Sequence, residues 1–324
     1  MKKKCRKIIG VTLIEMLIGI VVSSIIIAAM YTTYTVVNNS YSQVTDVASI
    51  SRSGRDVVAM LMRDIRMAGF KYFYGSNVEN ELKPIADRIP RQDYLSFVAG
   101  DTEADRADSM APIVIYPNTL NYGTETTEPG YDTIAADAEL NDMCCDRIHI
   151  VYGDFDASAM EAAGAKQPYK KYRITYFARA LSKGGDKYYG LYRSKESWIQ
   201  PLNALFDPTK DSGDGAWKFD CPDCYEGELV REYLTDMSFT AIGKYGEIIQ
   251  ADPVDNAEKI YDIRTVDVTL TFRSSAKKGF FRNLAANNKP RIVKSLGRQA
   301  AEFYDKFLRD TIFVTVHTRN IGSI

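Results

Sequence analysis

Catalytic signatures are what this chain lacks. Its 324 residues hold no Walker phosphate loop, no Gly-x-Ser-x-Gly elbow and no His-Glu-x-x-His zinc pair, and histidine occurs only twice. No catalytic residue is assigned, and the chain is not read as an enzyme. His149 and His317 stand opposite the apolar residues of two expected strands, which predicts surface positions for both. The stretch Asp207–Gly215 is rich in oxygen ligands, but the twelfth position counted from Asp207 is Lys218, where an EF-hand needs a bidentate glutamate. A solvated turn is expected there, with no metal and no cofactor.

A basic excess is missing too. The formal charge is -1, and residues 1–10 carry five of the 41 basic side chains and none of the 42 acids, so the chain beyond them stands at -6. A mildly acidic body argues against sequence-independent nucleic-acid binding, which needs a basic surface. The 45% hydrophobic content and 21 tyrosines describe a folded domain rather than a disordered one. Cysteine is sparse: beside Cys5 there are Cys144, Cys145, Cys221 and Cys224. An even set outside the cytoplasm reads first as disulfides, with zinc binding or a Cys-x-x-Cys redox pair at Cys221 and Cys224 as alternatives. The redox reading lacks a preceding βαβ unit. Four cysteines allow three pairings, and the adjacency of Cys144 and Cys145 points to two long-range bridges to Cys221 and Cys224.

The N-terminus is also short of acid, and this absence is informative. Lys2, Lys3, Lys4, Arg6 and Lys7 precede an apolar run from Val11 to Met30 whose only charge is Glu15. Positive residues ahead of the run predict a cytoplasmic N-terminus. A helix of this length, at about 1.5 Å per residue, spans a hydrocarbon core of roughly 30 Å. An ionised carboxylate inside such a span costs at least about 2.5–3.5 kcal/mol, and anchoring does not require it. A cut between Gly10 and Val11 would create an amino group four residues from Glu15, within one helical turn, able to pair in its own chain or a neighbour's. A secretory signal cleaved near Ser23-Ser24 or Ala28-Ala29 leaves Glu15 unexplained.

The basic leader, Gly10 and Val11-Thr12-Leu13-Ile14-Glu15 resemble the class III signal of type IV prepilins and secretion pseudopilins. In that family a prepilin peptidase cuts after the glycine and methylates the new N-terminus. The resemblance therefore implies cleavage at Gly10/Val11, N-methylation of Val11 and an assembly role for Glu15. Val11 departs from the commoner phenylalanine or methionine. A second stretch, Ser53-Gly54-Arg55-Asp56 through Arg63-Asp64 to Met67-Ala68-Gly69-Phe70, is similar to the end of the long helix in PilW-type minor pilins. Ile263–Ser274 and Val314–Asn320 resemble the C-terminal strands of that type.

The expected fold class is α+β: a long N-terminal helix, its first half transmembrane, packed on an antiparallel β-sheet domain, which is the pilin fold the resemblance implies. The expected divisions are a leader at 1–10, a membrane or filament-core helix at 11–30, its amphipathic continuation at 31–69, a loop-rich variable region at 70–145 and a sheet domain at 146–324. Val37, Tyr41, Val44, Gly54, Val58, Leu61, Ile65 and Ala68 form an apolar stripe at three- and four-residue steps. The β-branched, Asn-rich run Thr32–Ser40 predicts a bend or local melting. Gly69 suits a left-handed helix cap. Short runs at Tyr94–Val98 and Ile113–Tyr116 read as edge strands.

Alternation predicts strands at Arg147–Tyr152, at Met237–Ile242, at Val266–Phe272 and at Ile312–Arg319. Lys171–Arg179 and Tyr188–Arg193 form a hairpin around Gly184-Gly185. Asp207–Asp220 reads as a polar loop and Leu296–Leu308 as an amphipathic helix.

The resemblance implies a minor pilin that primes type IV pilus assembly. Its partners would be the prepilin peptidase, other minor and major pilins, the inner membrane and the pilus assembly platform, with no nucleic acid. It would sit in the bacterial inner membrane with its globular domain periplasmic and then pass to the pilus. A J-like type II secretion pseudopilin and a membrane-anchored periplasmic sensor are the other readings.

Overall fold

The computed structural model describes residues 12–76, 82–88, 111–120, 132–133, 143–155, 169–199, 216–219, 227–252, 256–275, 291–296, 298–305 and 307–321. Two compact units divide it, residues 1–49 and residues 50–324. Helix α1 (Leu13–Met67) passes from the first into the second. The architecture is α+β, a long apolar N-terminal helix followed by a large antiparallel sheet domain.

In the first unit the helix runs unbroken through Thr32–Ser40, where a bend is expected from propensity. The hydroxyls of this run fold back on the helix. Thr32 Oγ1 donates to the carbonyls of Ala28 and Ala29 at 3.0 and 2.8 Å, Thr33 Oγ1 to Ala29 at 2.9 Å, and Thr35 Oγ1 to Thr32 at 2.8 Å. Each of these three threonines is satisfied by the preceding turn.

In the second unit the helix turns a stripe of Ile50, Gly54, Val57, Leu61, Ile65 and Ala68 into the core. Leu61 and Ile65 are fully buried, each worth about 1.5–3 kcal/mol against exposure. At Gly54 an added Cβ would strike the tip of the Ile312 side chain, so the glycine leaves that side chain its room. The helix stops at Gly69, where φ is +75° and the amide donates to Val151 O at 2.9 Å. Asn320 Nδ2 donates to Arg66 O at 3.0 Å and satisfies one of the last-turn carbonyls.

The strands are β1 (Phe70–Ser76), β2 (Leu82–Arg88), β3 (Ile113–Tyr116), β4 (Asp132–Thr133), β5 (Arg147–Phe155), β6 (Tyr169–Lys183), β7 (Asp186–Ile199), β8 (Ala216–Phe219), β9 (Glu228–Gly243), β10 (Ile248–Ile249), β11 (Ile263–Arg273), β12 (Arg291–Val293), β13 (Ala301–Phe303) and β14 (Arg309–His317). A short helix α2 (Ala257–Ile260) precedes β11. The main sheet runs β14-β11-β9-β7-β6-β5-β3, with β10 on β9, β4 on β6 and β8 on β7. It curls back on itself, because the Ile115 amide of β3 donates at 3.0 Å to Ala251 O, just beyond β10. The hairpin between β6 and β7 closes through Gly184 and Gly185 at φ of 59° and 82°, the paired positive values of a type I′ turn.

Three expectations fail here. Leu296–Leu308 contains no helix: β13 pairs with β12, and Arg298 is drawn onto Asp146 and Asp236. Tertiary contacts outweigh the local period. The polar stretch 207–220 includes strand β8, whose Trp217 faces Trp198 of β7. His149 is buried at 2% exposure, because both faces of β5 are covered. Its polar neighbours make that possible: Arg173 grips Glu196 through two bonds of 2.7 and 3.0 Å and lies over Trp217, and Arg179 lies over Phe177 and Tyr192. Residues 94–98 fall outside the described residues.

Candidate functional site

The N-terminal site is built on the first turn of α1. Thr12 is the residue before the helix, and its amide and its hydroxyl each donate to Glu15 Oε2 at 2.8 Å. The Glu15 amide returns a bond to Thr12 Oγ1 at 3.3 Å. This is a capping box, in which residues three apart satisfy each other's unpaired groups. The Thr-x-x-Glu spacing was available in the sequence and was missed in favour of pairing with a new amino group. The carboxylate thus has partners in its own chain where the helix begins. The span Leu13–Ser42 holds an 18-residue window with a mean hydropathy of 2.5, none of it buried, so it is long and apolar enough to cross a membrane. Gly10 and Val11 lie outside the described residues.

A second cluster, within the sheet unit, locks the end of α1 down. Asp64 Oδ2 accepts from the Tyr176 hydroxyl of β6 at 2.7 Å and from Arg193 Nε of β7 at 2.9 Å, and Oδ1 accepts from Arg63 Nε at 3.3 Å. A carboxylate in the last turn opposes the helix dipole, and the two arginines offset that. Burial raises the Tyr176 hydroxyl well above its ordinary range, with the Asp64 charge adding to it. At Arg193 burial pulls downward, but Asp64 and Tyr176 together more than reverse it, so the guanidinium is held charged. Sequence reading took this stretch as a packing face and as part of the PilW-type resemblance, with no partner named for Asp64. An acid at position 64, next to the buried Ile65, was the available signal.

A third cluster sits at the curl of the sheet. Arg298 donates to Cys144 O at 2.6 Å and to Asp146 Oδ1, and lies 3.4 Å from Asp236. Asp146 also accepts from the amides of Asn118 and Phe239, each at 3.0 Å. Burial raises the Asp236 pKa; Ser295 and Arg298 oppose the shift and Asp146 adds to it. Beside this floor lies a cavity of about 410 Å³, walled by Ile115, Phe239, Ile249 and Leu296. Its charged groups already bind one another, which makes the cluster a structural clamp.

The remaining candidates separate. The sulfurs of Cys144 and its chain neighbour Cys145 lie against each other just ahead of β5. Cys221 and Cys224 lie outside the described residues, so the long-range pairing stays an expectation. His149 Nδ1 lies 2.8 Å from Thr175 Oγ1, and burial, with Arg173 and Arg147 nearby, lowers its pKa well below 6.5. His317 is exposed at the end of β14. Among the described residues no group of three His, Cys, Asp or Glu could hold a metal ion.

The geometry at the N-terminus therefore defines a class: an apolar helix, opened by a capped glutamate, leading into a sheet domain. A family model for the prokaryotic N-terminal methylation motif matches residues 5–31. The motif indicates a precursor of the type IV pilin-like or pseudopilin kind, processed by a prepilin peptidase. No curated protein and no solved structure matches the chain. The motif points to a structural protein with pilin-type interactions and fits membrane anchoring by α1.

Proposed function

We propose that the chain is a minor pilin of the PilW type, cut between Gly10 and Val11, methylated on Val11, and built into a type IV pilus or its tip as part of the complex that primes assembly. The observation that carries this is the placement of Glu15 at the mouth of an apolar span, held by Thr12 directly beside the cleavage position. After cleavage the new amine belongs to the residue next to Thr12, so the carboxylate can exchange its own cap for a neighbour's amine as subunits leave the bilayer. The long helix then trades lipid for other helices. The sheet domain faces the periplasm until then. The stretches at residues 53–70, 263–274 and 314–320 support the PilW type over a J-like secretion pseudopilin, which shares the N-terminal signal.

The test is Glu15→Val in the full chain beside its co-assembling subunits. The variant inserts in the membrane like the parent and is depleted from the assembled fraction. Incorporation at the parent level would remove charge pairing from the mechanism.

A further inference from the structure

We propose that the free edge of β14 is a docking site for an extended strand of a different pilin-type subunit; this rests on the assembly reading above. The Thr318 amide donates to Arg264 O at 2.9 Å, and Thr265 stands opposite His317. In an antiparallel ladder the bonded residues alternate, so residues 310, 312, 314, 316 and 318 bond inward to β11. Thr311, Phe313, Thr315 and His317 point their amides and carbonyls outward. Among the described residues no other backbone pairs with them.

Beyond Arg309 and Asp310 at its start, the edge carries no protecting feature among the described residues. From Thr311 to His317 there is no proline, no lysine and no bulge, and β14 pairs one for one with β11 along its length. Phe313, 55% exposed, stands at its centre between exposed Thr311 and Thr315. The opposite edge is treated differently. Strand β3 is short, its side chains are largely buried, and its Ile115 amide is taken up by Ala251.

Outward donors and acceptors repeating about every 6.8 Å match only another extended backbone. The uncharged run Thr311–Val316 selects a neutral strand, with an apolar residue beside Phe313 and others extending the half-buried Ile312 and Val314. A second copy is disfavoured. Antiparallel self-pairing about Phe313 would run the helix residues 50–67 of two copies in opposite directions, whereas helices rooted in one membrane run together.

The parity supplies a clean perturbation. Phe313→Pro removes an outward amide and leaves the β11 ladder whole, while Ile312→Pro breaks that ladder. A photoreactive side chain is placed at Thr315 of the full chain, produced in membranes with the peptidase and its co-assembling subunits, with Tyr245 as an exposed control. The expected result is an adduct from position 315, absent from 245, with a subunit that carries its own cleaved N-terminal signal, mapped to an extended segment. Phe313→Pro lowers it roughly tenfold or more without unfolding the chain. Three results overturn the proposal while the chain is still cut at Val11: no such adduct, an adduct with a second copy, or one that survives Phe313→Pro. Unfolding of Phe313→Pro to the same degree as Ile312→Pro overturns the parity. A chain that is not cut overturns the assembly reading and the docking site with it.

Discussion

Asp64→Ala tests the lock between helix and sheet. Three donors converge on this carboxylate: the Tyr176 hydroxyl at 2.7 Å, Arg193 Nε at 2.9 Å and Arg63 Nε at 3.3 Å. The Arg63 side chain is 69% exposed, so that contact contributes little. The other two are sheltered: Tyr176 is fully buried and the Arg193 side chain is 16% exposed, beside an Asp64 side chain that is 6% exposed. Removing one partner of a buried pair costs about 3–5 kcal/mol, since the remaining charge loses its compensation. Arg193 retains some access to water, which places the loss near the lower end, about 3 kcal/mol. For a domain of this size that is a fall of about 6–12 °C in Tm. Asp64→Asn keeps an acceptor for Tyr176 but no charge for Arg193, and falls between the parent and Asp64→Ala. The assay is urea unfolding of the detergent-solubilised full chain, followed by the fluorescence of Trp198 and Trp217, which face each other across β7 and β8. A cycle with Arg193→Ala should return a coupling of about 2 kcal/mol. A loss below about 1 kcal/mol, or additive single variants, refutes the lock.

Two further perturbations act on the same domain. Gly69→Ala forces a left-handed residue to carry a Cβ that would lie 2.9 Å from Asn320 O. The backbone cost alone is about 1–2 kcal/mol, and the urea midpoint should drop accordingly; an unchanged midpoint would show that the chain leaves α1 by another route. His149 gives a pH dependence. Its folded-state pKa lies well below the unfolded 6.5, so the unfolded chain binds the proton first. Stability is therefore held above about pH 6.5 and lost as pH falls below it, at no more than about 1.4 kcal/mol per pH unit. His149→Gln should flatten the slope between pH 7.5 and 5 relative to the parent, and equal slopes would contradict a buried neutral ring.

What was legible in the sequence follows from how local each determinant is. Val266 to Phe272 alternates because one face of β11 joins the core that α1 also enters while the other carries Thr and Asp, and Gly184-Gly185 can close a two-residue turn with no help from elsewhere. The helix end at Gly69 is similarly local. His149 misled because its face of the sheet is buried with arginines, threonines and aromatics, so polar spacing no longer marked solvent. The segment 296–308 misled because Arg298 is held by Asp146, remote in the chain. At the N-terminus the methylation motif over residues 5–31 was readable, since such a signal has to work before the chain folds. The Thr12 cap was equally local, but the pairing with a cleaved amine supplied a sufficient reason for Glu15 and hid it. The Asp64 lock joins α1 to the β6–β7 hairpin, 112 and 129 residues further along the chain, and only the fold brings them together.

The most direct test of the central claim is the intact mass and N-terminal sequence of the full chain after production with a prepilin peptidase, beside a control prepilin that is cut. The account predicts a product beginning at Val11, carrying one methyl group on its amine. A product still beginning at Met1, with the control processed, would contradict it and leave α1 as a plain membrane anchor.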